Sequence, residues 1–181
     1  ENRLVHLGGF GEKTQEKVLK GIEFLKRHKG EFLFGDVYPV AEGTKKHLSV
    51  VVDNQFIEVC GSIRRRKEVV RDMDILVASE NHKKVTSFFV SLPEVEEVLV
   101  SGDTKTSVRM KSGIEADLRI VSAEEYPYAL LYFTGSKEHN IALRTRSQAQ
   151  GLSLSEYGIT IVKTGELKKF TDEYSFYRYL G

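Results

Sequence analysis

The run Asp72-Met73-Asp74-Ile75-Leu76-Val77-Ala78 constrains this chain more than any other. Residues 73–78 are rich in β-formers and predict a strand with two carboxylates at its start. Side chains alternate faces along a strand, so Asp72 and Asp74 point one way while Met73 and Ile75 point to the core. Two carboxylates this close repel unless something positive sits between them. Magnesium or manganese, which prefer oxygen ligands, would do that. A lone Asp-x-Asp reads first as an acidic strand end facing water.

Two further features change that reading. Gly61-Ser62 stands at the end of a predicted strand over residues 55–60, with nine residues between Ser62 and Asp72. Glycine lets backbone amides approach a phosphate closely, and the serine hydroxyl adds a donor. Downstream, residues 114–121 read as a strand whose Asp117 completes a three-carboxylate set.

The rest of the chain reads as a small helical lobe, a central sheet and a C-terminal α+β lobe, so the predicted class is α+β. Residues 14–28 carry Val18, Leu19, Ile22, Phe24 and Leu25 at roughly helical spacing. Gly30, Gly35, Pro39 and Gly43 mark residues 32–44 as a boundary region. Further strands are predicted over 95–100 and 106–110, with Lys111-Ser112-Gly113 as the hairpin turn into 114–121. Helices are predicted over 82–92, 126–133 and 139–150, the last stopped by Gly151. Tyr174, Phe176, Tyr177 and Tyr179 read as core of the last lobe. The predicted domains are 1–35, 36–122 and 123–181.

Composition narrows the class without naming a function. A chain of 181 residues buries roughly two thirds of its unfolded surface. It is 40% hydrophobic and 29% charged, with no apolar stretch near the ~20 residues of a membrane helix, so no membrane association is expected. One cysteine excludes an internal disulfide and fits a reducing cytoplasm; Cys60 reads as a small buried hydrophobe. Five scattered histidines lack zinc-ligand spacing. Net charge of +1 is silent about nucleic acid, although Arg64-Arg65-Arg66-Lys67 is a local basic run.

Hydrophobic-Gly-Ser, nine residues, Asp-hydrophobic-Asp and a later strand aspartate resemble the nucleotidyltransferase superfamily. Within it, Gly61-Ser62-Ile63-Arg64-Arg65 with Asp72-Met73-Asp74 resembles the palm signature of family X DNA polymerases. Tyr132-Phe133-Thr134-Gly135-Ser136 resembles that family's nucleotide-gate motif, and Glu156-Tyr157-Gly158 its later thumb motif. Residues 7–14 look like its helix-hairpin-helix, and the run from Phe133 to Asn140 looks like the bacterial members. The resemblance implies a polymerase beta-like palm, a helical fingers lobe and an α+β thumb lobe. It implies a monomeric DNA-directed DNA polymerase that fills short gaps in DNA repair, acting on gapped or primer-template DNA with deoxynucleoside triphosphates. A bacterial cytoplasmic, nucleoid-associated location goes with it. Bacterial members add a lyase-like domain before this core and a PHP phosphoesterase domain after it, both expected to lie outside this chain.

Carried over residue by residue, the resemblance makes Asp72 and Asp74 ligands of two divalent metals, magnesium or manganese. Asp117 becomes a ligand of the catalytic metal beside the primer 3′-hydroxyl. Gly61, Ser62 and Arg65 form a triphosphate cradle, and Tyr132, Phe133 and Gly135 a sugar gate. Asn140 and Arg144, four apart on one helix face, flank the new base pair on its minor-groove side. Tyr157 neighbours the template strand, and Lys105 the primer strand. Gly9, Gly11 and Lys13 match a hairpin whose amides hold one DNA phosphate without reading sequence. Carbonyls of Val5, Leu7 and Phe10 match a monovalent-cation site. Two residues depart from the family: Arg71 stands where many relatives have glycine, and Glu115 where some have arginine. Glu115 shares a strand face with Asp117 and Arg119, which makes Arg119 the expected partner of Asp117 and part of the DNA-binding set. Two rival readings stay open: a transferase that adds nucleotides without a template or modifies a small molecule, and a DNA-binding module whose catalytic site has decayed.

Overall fold

The computed structural model describes residues 11–27 and 30–181. The chain divides into two compact units between Glu31 and Phe32. The described part of the first is helix α1 (Glu12–Arg27). Its start is closed by the Gly11 carbonyl, which accepts from the amides of Thr14 at 2.9 Å and Gln15 at 3.0 Å. An exposed Glu16–Lys20 pair four residues apart adds a few tenths of a kcal/mol. Gly9, Val5, Leu7 and Phe10 lie outside the described residues; Gly11 and Lys13 are exposed.

The second unit opens with β1 (Phe32–Leu33), which pairs antiparallel with β3 (Val69–Val70). Between them lie α2 (Phe34–Leu48), β2 (Ile57–Val59) and the four-residue α3 (Gly61–Arg64). The stretch 32–44, marked in the sequence by its glycines and proline, is largely helical, with Pro39 inside α2. An internal proline costs about 3 kcal/mol. Val37, Ala41, Thr44 and Leu48 nevertheless form one buried stripe at helical spacing, and each large apolar side chain buried there returns about 1.5–3 kcal/mol.

A five-stranded mixed sheet follows in the order β2-β4-β7-β6-β5, with β4 at Asp72–Ala78, β5 at Val95–Ser101, β6 at Lys105–Met110 and β7 at Glu115–Val121. β4 and β7 run parallel; every other neighbouring pair is antiparallel. The parallel pair is joined through α4 (His82–Val90), β5 and β6. The expected hairpin turn is present: the amides of Met110 and Gly113 bond the carbonyls of Ile114 and Met110, and Gly113 takes φ +88°.

Alternation gives the sheet two different faces. Met73, Ile75 and Val77 of β4, with Ala116, Leu118 and Ile120 of β7, join the core that holds Val37, Leu48, Val85 and Phe89. On the other face Leu76, Ala78 and Val121 pack with Cys60, Tyr126 and Ala129. Tyr126 and Ala129 belong to α5 (Tyr126–Thr134). Cys60 is fully buried as expected, and burial pushes its thiol up.

The C-terminal part is α5, α6 (Lys137–Ala149), a three-stranded antiparallel sheet ordered β10-β9-β8, and α7 (Glu173–Leu180). Those strands are β8 (Leu152–Ser155), β9 (Gly158–Ile161) and β10 (Leu167–Lys168). Tyr128, Leu131, Leu143, Leu152, Ile159, Phe176 and Leu180 form its core. Here the aromatic cluster departs from expectation. Phe176 is 2% exposed, but Tyr174, Tyr177 and Tyr179 are 75%, 40% and 42% exposed, because one side of α7 faces solvent. No helix among the described residues is long and apolar enough to cross a membrane.

Arg64 ties α3 to α7 with a two-pronged pair to Glu173, at 2.8 Å and 2.7 Å, and donates to Thr134 Oγ1 at 2.6 Å. Such charge-assisted bonds contribute about 1.5–3 kcal/mol. Arg64→Ala and Glu173→Ala should each lower unfolding stability by about that much. The double variant should lose little more than either single one. Urea unfolding of the three variants checks this; fully additive losses would show that the two residues do not act as a pair.

Candidate active site

The β4–β7 register builds the site. Asp74 lies opposite Asp117, Asp72 opposite Glu115 and Leu76 opposite Arg119. Neighbouring strands run about 4.8 Å apart, and alternation places Asp72, Asp74 and Asp117 on one face of the sheet. β6 adds its own side chains to that face, with Ser107 opposite Asp117, Arg109 opposite Glu115 and Lys105 opposite Arg119.

Asp74 is pushed up to about 6, first by burial and then by the charges of Asp72 and Asp117, with Arg119 and Lys105 pulling the other way. Asp117 is held at both oxygens: Ser107 Oγ donates to Oδ1 at 2.5 Å, and Lys105 Nζ lies 2.8 Å from Oδ2. This corrects the expected Arg119–Asp117 partnership. Arg119 stacks its guanidinium 5.2 Å above the Phe133 ring, while Arg109 takes Glu115 at 3.1 Å and Glu97 at 2.6 Å.

The Gly61 end of α3 closes against β4. The Cys60 amide bonds the Asp74 carbonyl at 2.7 Å, and Gly61 takes φ +60°. A Cβ on Gly61 would collide with Asp74 Oδ2, so both the conformation and the space require glycine. One turn later Arg65 donates to the Thr134 carbonyl. That contact brings the Gly61–Arg65 segment against the end of α5, where Gly135 takes φ +65° and precedes a cis peptide to Ser136.

The result is a cleft of about 530 Å³ lined by Gly61, Ser62, Arg65, Asp72, Asp74, Tyr132, Phe133, Gly135, Asn140 and Arg144, all singled out in the sequence. Ser136, Lys137 and Ile141 line it as well and had been assigned no role, although two of them directly follow Gly135. Tyr132 and Phe133 meet edge to face at 5.2 Å; Asn140 Nδ2 donates to the Tyr132 carbonyl at 2.7 Å; Arg144 lies 5.5 Å from the Tyr132 ring centroid. Arg119 and Tyr157 instead line a second cavity of about 290 Å³ that shares Phe133 with the first.

Ser62 Oγ, Arg65 Nε and Asn140 Oδ1 are buried and unpartnered, and all three belong to residues lining the cleft. Buried polar atoms are ordinarily satisfied, so a cleft with two orphaned donors beside basic side chains suits a polyanionic ligand. Three carboxylates on one face suit a hard divalent cation. As the side chains stand, no group of three or more His, Cys, Asp or Glu among the described residues is arranged to hold one. Asp117 is engaged by Lys105 and Ser107.

The raised affinity of Asp74 for a proton carries a stability signature. In an unfolded chain this carboxyl titrates near about 3.9, and here at about 6. Between those values the folded chain binds more protons, so stability falls as pH rises from about 4 to about 6 and stays lowered above. Asp74→Asn should therefore stabilise the chain in chelator by about 2–3 kcal/mol at pH 8 and by far less at pH 4. Urea unfolding at the two pH values decides; an equal gain at both would contradict the repulsion.

Residues 129–181 match the family described as DNA polymerase beta thumb. Over its whole length the chain is 36% identical to the DNA polymerase/3′-5′ exonuclease PolX of Bacillus subtilis strain 168, and it spans 32% of that protein. It is 29% identical over 130 residues to Repair DNA polymerase X of African swine fever virus, covering 67% of this chain and 73% of the viral protein. With DNA polymerase lambda of Rattus norvegicus it shares 28% identity over 119 residues, covering 56% of this chain and 21% of the rat protein. The fold class, the thumb match and these relatives agree, and the chain belongs to family X of the DNA polymerases.

Proposed function

We propose that this chain is the polymerase core of a bacterial family X enzyme, adding deoxynucleotides to a primer 3′-hydroxyl and filling short gaps during DNA repair. One observation carries the reading: a single cleft gathers Gly61, Ser62 and Arg65 with Asp72, Asp74, Asn140 and Arg144. In this reading residues 1–35 are a fingers-like lobe with the helix-hairpin-helix, 36–122 the nucleotidyltransferase palm and 123–181 the thumb. The protein works as a monomer beside the nucleoid, on gapped or primer-template DNA.

Each residue then has a task. Ser62 and Arg65 offer the triphosphate their orphaned donors, and Gly61 lets its backbone come close. Asp72 and Asp74 would hold two magnesium or manganese ions and Asp117 one of them, where the ions would activate the 3′-hydroxyl and neutralise departing pyrophosphate. Asp117 also offers a carboxylate for the hydroxyl proton. Tyr132, Phe133 and Gly135 border the sugar, and Asn140 and Arg144 the nascent pair. Lys13, Lys105, Arg119 and Tyr157, with Gly9 and Gly11, contact DNA, and Val5, Leu7 and Phe10 supply carbonyls to a monovalent cation. Contacts of this kind are to phosphate, so binding should be independent of sequence and weaken steeply with salt.

Primer extension on gapped, recessed and blunt DNA, with magnesium or manganese, tests the reading. Asp74→Ala should abolish extension while the chain stays folded; extension by a folded Asp74→Ala protein would sink the assignment. Equal incorporation of all four nucleotides opposite every template base would favour the template-independent transferase. DNA binding without extension would favour the decayed module.

Arg144 offers a finer test. If it borders the nascent pair, Arg144→Ala should lower catalytic efficiency for correct nucleotides more than for mismatched ones, by about one or two orders of magnitude. If its role is only to stack on Tyr132, both efficiencies should fall together. Single-nucleotide kinetics against all four template bases separate the two outcomes.

A further inference from the structure

Both oxygens of the Asp117 carboxylate are already engaged, by Ser107 at 2.5 Å and by Lys105 at 2.8 Å. Both partners come from β6. Ser107 is directly opposite Asp117, and Lys105 is one diagonal step away, opposite Arg119. The ion pair is half-sheltered, with side chains 38% and 27% exposed, so it is screened less than a pair in open water. The other two cations of this face are committed elsewhere, Arg109 to Glu97 and Glu115 and Arg119 to the Phe133 ring. Across the β4–β7 register Asp74 faces Asp117, and among the described residues no side-chain partner of that kind closes its carboxylate, which lies at Gly61 on the edge of the cleft.

We propose that Lys105 is a built-in counter-ion that closes Asp117, so that a divalent cation completing the three-carboxylate site must first displace the ammonium already there. Lys105 is in this sense a positioning residue acting through Asp117, and the inference rests on the metal reading given under Proposed function. It makes the three carboxylates unequal. Asp72 and Asp74 are available to a first cation, whereas Asp117 joins only at the cost of breaking its pair. The lysine also keeps the cluster from carrying three uncompensated charges while no cation is bound, and its ammonium repels any cation that approaches.

Manganese binding by the chain, without DNA or nucleotide, tests this through the electron paramagnetic resonance signal of free manganese. Lys105→Met keeps the length of the side chain and removes its charge. It should bind manganese about tenfold more tightly than the unaltered chain, a gain of about 1.4 kcal/mol and within the range for charges a few ångströms apart near a surface. Lys105→Arg, which keeps the charge, should stay within about twofold of the unaltered chain. Adding Asp117→Asn to Lys105→Met should erase the gain. If circular dichroism shows Lys105→Met unfolded, Lys105→Gln takes its place. Unchanged or weaker binding by the neutral variant overturns the proposal, as does a gain that survives Asp117→Asn. Primer extension by the unaltered chain together with unchanged manganese affinity in Lys105→Met sinks this inference and leaves the functional reading standing. Absence of manganese binding in the unaltered chain and in every variant sinks both.

Discussion

The parallel pairing of β4 with β7 is the constraint on which the rest of the site depends. Its register is held by what it buries: Met73, Ile75 and Val77 on one strand and Ala116, Leu118 and Ile120 on the other enter the same core. A slip by one residue would turn that apolar set into the cleft and drive Asp72, Asp74 and Asp117 into the core. Burying unpaired carboxylates costs several kcal/mol each, so the slipped register is far less stable. The position of the acidic cluster is thus specified by the apolar residues between its members.

That placement puts stability and chemistry at odds. Asp72, Asp74 and Asp117 crowd a face that also carries Glu115, and the neighbouring cations relieve only part of the repulsion. Lys105 and Ser107 satisfy Asp117, while Arg119 lies against Phe133 and acts on Asp74 only through its field. Asp74, half-buried beside two like charges, keeps the strain. A fold optimised for stability alone would place an apolar or amide side chain there; a carboxylate in such surroundings is the usual mark of a functional position.

Much of this was legible because strand periodicity is short and strict. Alternation over 72–78 places both aspartates on one face, and a turn at Lys111-Ser112-Gly113 closed by Met110 and Ile114 sets Ser107 opposite Asp117 by counting alone. The same count puts Lys105 one diagonal step from Asp117, so both of its β6 partners are implicit in the hairpin. A shared face is not a contact: Arg119 lies on the face of Asp117, but its guanidinium stacks on Phe133 of α5 while Lys105 meets the carboxylate. α2 was hidden because proline and two glycines are strong local breakers, and only tertiary burial of Val37, Ala41 and Leu48 outweighs them. The exposure of Tyr174, Tyr177 and Tyr179 was hidden for the converse reason. Aromatic composition does not say which side of a helix meets its neighbours.

The short stretch from Cys60 to Arg65 is pinned at both ends, at the Cys60 amide by the Asp74 backbone carbonyl and at Arg64 and Arg65 by Thr134 and Glu173. A helical residue turns the chain by about 100° and advances it by about 1.5 Å. One residue inserted or deleted there would swing both guanidinium groups off their partners while leaving every individual amino acid in place. The stretch therefore acts as a ruler between the sheet and the C-terminal helices. Among descendants of this chain, an insertion or deletion in this stretch is therefore harder to accommodate than a conservative exchange of one of its residues.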